Sequence, residues 1–251
     1  MTRKLWCQII GGFLCAVPCT FAANTVTFNL TGVSGGVLSG VYTSPYYATI
    51  TPTGGGPSIS TSVICDDFAD DTFIPETWTA NVTDVSSLTT PSSTVYWSQG
   101  LDLSTGSVFG GSLNQAQAYT TAAYLAVELL ASPIGSLQAG ELSFAMWGLF
   151  DPNAFNALSG SNLTGARNAL TSAENAVFSG NLTPSNYAGV TIYTPVLPSD
   201  ATCGGGTCAH IPPQEFIAVA MPEPSASALL TLNLAGIGFV ALFFRRRALK
   251  A

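Results

Sequence analysis

The sequence predicts an α+β fold: a β-rich sandwich or barrel carrying a helical insertion, followed by a C-terminal single transmembrane helix. Three observations predict it. Period-two alternation of apolar and polar residues appears near the N-terminus and returns before the C-terminal tail. Between them, from roughly 114 to 180, apolar residues recur at helical spacing. Last, Ala226 to Phe244 carries no charged side chain and runs into Arg245-Arg246-Arg247. That is enough for one bilayer crossing, with the arginines held on the cytoplasmic side.

Taken in order, Thr25-Val26-Thr27-Phe28-Asn29-Leu30 alternates strictly and reads as a half-buried strand. Val37 to Tyr42 is expected as a second strand after the Gly35-Gly36 turn, Tyr46 to Thr51 as a third, and Ser58 to Cys65 as a fourth. Thr77 to Val82 completes this set. Asn114 to Ala131 places Ala118, Ala122, Leu125 and Leu129 on one helical stripe, and Pro133 with Gly135 ends it. Leu137 to Phe150 is apolar on most sides, as a buried helix is, and Asp151-Pro152 stops it. Thr164 to Phe178 is a third helix, with Gly180 as its stop. Gly189 to Val196 and Glu215 to Met221 return to strands, so both ends of the chain build the β part.

The N-terminus reads as an export signal. Arg3 and Lys4 precede an apolar stretch, Leu5 to Val17, and small residues around Ala22 mark the cleavage point. The chain then divides into a signal peptide, 1–22, an exported β-rich domain, 23–220, and a tail, 221–251, with its transmembrane helix over 226–244. Both ends keep positive charge on the cytoplasmic side, which puts the domain across the inner membrane. Six of the seven basic residues lie in the two ends, leaving Arg167 in the domain with thirteen acidic residues, a net charge near −12. Such a surface repels nucleic acid.

The tail is similar to a known sorting signal. Pro222-Glu223-Pro224, the hydrophobic span and the cluster Arg245, Arg246 and Arg247 resemble the PEP-CTERM domain of bacterial exported proteins. The resemblance implies processing near the motif by an exosortase, a transient membrane anchor, and a final place on the envelope surface or in an extracellular polysaccharide or biofilm matrix.

Cys203-Gly204-Gly205-Gly206-Thr207-Cys208 is a short flexible loop, and a Cys203–Cys208 disulfide is expected in an oxidising compartment. His210 beside it lacks the ligand set of a metal site. Cys65 is left as a free, buried thiol. It opens the run Cys65-Asp66-Asp67-Phe68-Ala69-Asp70-Asp71, where Asp66, Asp67, Asp70 and Asp71 are calcium candidates without EF-hand spacing. Otherwise no metal and no cofactor is expected.

Val63-Ile64-Cys65 and, much later, Ala145-Met146-Trp147 resemble the thioester domains of bacterial surface adhesins, in which a Cys sulfur and a Gln amide form an internal thioester. Alignment on that helix puts Ser143 at the Gln position, with Gln138 as the amide one turn earlier. Ser has no acyl carbon, so the resemblance implies the scaffold without the thioester. No nucleophile elbow, zinc-protease helix or phosphate-binding loop is present, and the domain reads as non-enzymatic. A carbohydrate-binding or carbohydrate-cleaving module using Trp78 and Trp97 is the remaining alternative.

Overall fold

The computed structural model describes residues 25–70, 72–88, 92–96, 113–197, 201–203, 206–207 and 212–220. The signal cleavage point Ala22, the motif Pro222-Glu223-Pro224, the span 226–244 and Arg245 to Arg247 lie outside these residues. Among the described residues no helix is long and apolar enough to cross a membrane.

Six strands close into an antiparallel barrel. They are β1 (Thr25–Val33), β4 (Tyr46–Pro52), β5 (Ile59–Cys65), β6 (Glu76–Asp84), β7 (Val190–Pro195) and β10 (Phe216–Val219). Their order is β1-β4-β5-β10-β7-β6, and β6 pairs back onto β1 from Glu76↔Leu30 to Asn81↔Thr25. Closure removes the unpaired edges of an open sheet. Two hairpins are attached. β8 (Thr202–Cys203) and β9 (Gly206–Thr207) extend β6, while β2 (Val37–Leu38) and β3 (Val41–Tyr42) stand apart. The sequence reads 37–42 as one strand. Ser39 and Gly40 both have positive φ, which folds the segment into a two-residue hairpin turn.

Alternation decides what fills the barrel. Val26, Phe28 and Leu30 of β1 point inward, and Phe28 meets Trp78, Phe216 and Tyr193 at ring-centroid distances of 4.6, 5.4 and 5.4 Å. The outer face of β1, β4 and the start of β5 is wet. There hydroxyls pair across strands, Thr51 with Ser58 at 2.8 Å and Thr49 with Ser60 at 3.4 Å. The opposite wall is dry on both faces. Ile64, Ile217 and Ile192 lie side by side in register, opposite to the inward row of Cys65, Phe216 and Tyr193.

Three helices cover that wall: α1 (Gln115–Ala131), α2 (Leu137–Phe150) and α3 (Gly160–Ser179). α1 packs on β10, α2 on β5, and the three helices on one another. Asn114 and Gln117 form a reciprocal capping box at the start of α1, and the Ser136 hydroxyl accepts the Ala139 N–H at the start of α2. α2 is buried nearly all round because it lies between the barrel and its two partners, as its apolar sequence predicts. α3 begins four residues before the expected Thr164, at Gly160. Gly148 of α2 has no room for a side chain, since a Cβ there meets the Phe155 ring at 2.1 Å. Gly148→Ala is expected to cost about 1–3 kcal/mol by overpacking, read as a lower urea midpoint with an unchanged slope.

Candidate functional site

One end of the barrel gathers the chemistry. There β5 finishes at Cys65, β10 begins at Phe216 directly opposite, and the backbone N–H of Asp66 reaches the carbonyl of Glu215 at 3.4 Å. The pairing therefore brings the residues just after Cys65 alongside those just before Phe216. The Cys65 thiol donates to the Asp67 carbonyl at 2.9 Å. The Gln214 amide donates to that same oxygen at 2.9 Å and to the Asp70 carbonyl at 2.6 Å. Two donors on one acceptor leave the sulfur and the amide nitrogen no more than about 6 Å apart.

Ser143 sits beside this pair in a supporting place. Its hydroxyl donates to Ala139 O at 3.0 Å and accepts the Ser44 N–H at 3.1 Å, and the Ser44 hydroxyl accepts the Cys65 N–H at 3.1 Å. This chain ties α2, the entrance to β4 and the end of β5 together. Trp147, one turn after Ser143, is buried against Phe144 and Phe68 at centroid distances of 4.8 and 5.5 Å. Its indole N–H makes no hydrogen bond of good geometry. It still faces the Cys65 sulfur closely enough to lower the cost of a thiolate slightly.

A cleft of about 650 Å³ opens beside the pair, lined among others by Tyr42, Phe68, Asp70, Phe73, Trp147 and Gln214. Tyr42 and Phe73, both half exposed, stand on its rim. Gln214 thus borders solvent-accessible space, while Cys65 is fully enclosed. Burial, then the neighbouring Asp67 and Asp66 carboxyls, push the Cys65 thiol well above its ordinary range. The sulfur is held protonated and directed.

The acidic run divides by partner. Asp66 is enclosed next to Glu215, and both are about 2 % exposed. Glu215 accepts the Tyr119 hydroxyl at 2.5 Å, the Tyr96 N–H at 3.0 Å and the Thr194 hydroxyl. No donor reaches either Asp66 oxygen with good hydrogen-bond geometry. The two carboxyls make their mutual hydrogen bond only if one carries a proton, and Asp66 is that one. Burial first, then Glu215 and Asp67, raise its pKa well above the carboxylate range. Asp67 turns to its own loop, where Oδ1 accepts the Ala69 N–H at 2.9 Å, and burial followed by Asp70 pushes it up to about 8. Asp71 lies outside the described residues. Among those described, no three His, Cys, Asp or Glu side chains form a group that holds a metal ion.

The remaining sequence candidates fall elsewhere. Trp78 is inside the barrel and offers no face to a sugar. Trp97, His210 and Cys208 lie outside the described residues, and so does the pairing of Cys208 with Cys203. Gln138 is exposed and lines a different hollow with Tyr124, Glu128 and Glu141. The residue missed by sequence reasoning is Gln214. Its one local signal is an amide immediately before the last apolar strand, and only the β5–β10 pairing gives that signal meaning. Comparison with known proteins finds no matching family model, no similar curated protein and no similar solved structure.

Proposed function

We propose that the chain is an exported surface protein, sorted by an exosortase through its PEP-CTERM-like tail, whose domain attaches covalently to an acceptor through an internal Cys65–Gln214 thioester. The observation that carries the chemical part is the Asp67 carbonyl, which binds the Cys65 thiol and the Gln214 amide at once. This revises the expectation that Ser143 removes the thioester: the amide comes from β10's approach rather than from α2. In the first step sulfur attacks the Gln214 acyl carbon, the C–N bond breaks, and nitrogen leaves as ammonia with the thiol proton. In the second, a primary amine attacks the same carbon through the cleft. An amide forms, the C–S bond breaks, and the proton returns to sulfur. The acceptor stays bound, so the protein turns over once and is not an enzyme. Enclosure of Cys65 protects the acyl group from water until an acceptor enters.

The export half rests on the charge and hydropathy of the two ends. A surface or matrix location places the domain where acceptors on neighbouring cells or in extracellular polysaccharide reach it. Intact mass of the protein recovered from the envelope tests this half. The expected chain begins near Ala23 and ends near Pro222-Glu223-Pro224. A full-length tail in cells with an active exosortase overturns the sorting claim and leaves the Cys65–Gln214 chemistry standing.

A further inference from the structure

Resting on that reading of the site, we infer that Asp66 and Glu215 form a carboxylic acid–carboxylate clamp that positions Gln214 against Cys65. Each clamp residue is the chain neighbour of a reacting one: Asp66 follows Cys65, and Glu215 follows Gln214. Neither clamp residue is itself a reacting group, so both act through the backbone that joins them to Cys65 and Gln214. The Asp66 N–H to Glu215 O contact, at 3.4 Å, is a long backbone bond across this end of the pair. The carboxyl pair reinforces it where the β5–β10 ladder stops at Cys65↔Phe216.

The clamp is built for one shared proton. Glu215 is a fully served acceptor, with Tyr119 from α1, Tyr96 from the preceding segment and Thr194 from β7 as donors. Asp66 is an enclosed carboxyl whose oxygens no donor reaches with good hydrogen-bond geometry. The other titratable groups around it are Cys65, Asp67 and Asp70 on its own loop, with Tyr96 and Tyr119 facing it across Glu215, and the described surroundings supply no cation. Losing the shared proton therefore leaves two uncompensated buried charges side by side. The sign follows from the raised Asp66 and Glu215 values. The clamp is intact below the pair's raised titration and is lost as pH rises through it. The β5 and β10 ends then separate, and Gln214 leaves the sulfur.

Asp66→Asn tests this, because an amide donates to Glu215 at every pH and cannot ionise. Wild type, Asp66→Asn and Asp66→Ala, each as the full protein, are refolded across a range from about pH 4 to 10, which spans everything from the ordinary carboxylate range upward. The fraction with the mass deficit of a thioester and the rate of Cys65 alkylation in the remainder are read together. Wild type is expected to lose at least half of its thioester yield toward alkaline pH, Asp66→Asn to keep it, and Asp66→Ala to form little at any pH. Asp66→Ala matching wild type throughout overturns the clamp and leaves the thioester intact. Absence of the deficit in all three overturns the thioester, and alkylation then judges the clamp. An alkaline rise in wild type beyond that of Asp66→Asn supports it, and superimposable curves overturn it.

Discussion

If the proposed thioester forms, the protein, with any disulfide reduced, is expected to weigh about 17 Da less than the residues it retains, the mass of one ammonia released. Cys65→Ala and Gln214→Ala are each expected to restore the full mass. The domain has a built-in second readout. Arg167 is the one basic residue between the two ends and lies on α3, between Cys65 and Gln214 in the chain. Tryptic cleavage after Arg167 in the unfolded protein leaves two large fragments. A thioester holds them together, and methylamine separates them while adding itself at position 214. Ser143→Ala is expected to lower the thioester yield without abolishing it, because it removes the support of Ser44 and not the acyl group. A deficit that survives in Gln214→Ala, or methylamine found at Gln138, shows that another amide is used. No deficit in wild type removes the covalent mechanism.

Trp78→Ala is expected to lower stability by about 3–5 kcal/mol, a large share of what a domain of this size possesses. The ring is 2 % exposed and sits between Phe28, at 4.6 Å, and Phe216, at 5.9 Å. Removing it empties the middle of a closed barrel whose walls are tied by hydrogen bonds all round, so collapse onto the hole is limited. Denaturant unfolding checks the magnitude. A loss below about 1 kcal/mol means that the interior is far more plastic than its aromatic packing indicates. The same variant separates packing from recognition: a sugar-binding role for Trp78 predicts lost binding with stability unchanged.

Local patterns in the sequence carry much of the fold. Thr25 to Leu30 alternates because one face is inside the barrel and the other in water. Leu137 to Phe150 is apolar on most sides because it is enclosed on most sides. Closure was not legible, since it depends on β6 returning to β1 and on β10 entering between β5 and β7, and no local periodicity encodes a partner. The site shows the same division. Cys65 and the Trp147 helix are conspicuous in the sequence, and the structure brings them together. Gln214 is separated from the Asp67 carbonyl by 147 residues, and nothing near it marks it except the strand that follows. Ser143 drew attention by its place on a helix, yet its neighbour is a backbone N–H.

The position of β10 has a mechanical consequence. It is the last of the described strands, yet it lies inside the barrel wall, and the Ala220 N–H is fixed to Gly189 O at 2.8 Å at the end of the described residues. For an acceptor bonded to Gln214, the covalent path to whatever holds the tail runs only through Gln214 to Ala220. Tension between the two would bypass β1, the helices and most of the barrel. It would pull along β10, whose ladder bonds to β5 and β7 resist sliding together rather than opening one at a time. In that proposed role the rest of the domain would act as a sleeve around a short tether, and its unfolding would not release the bond.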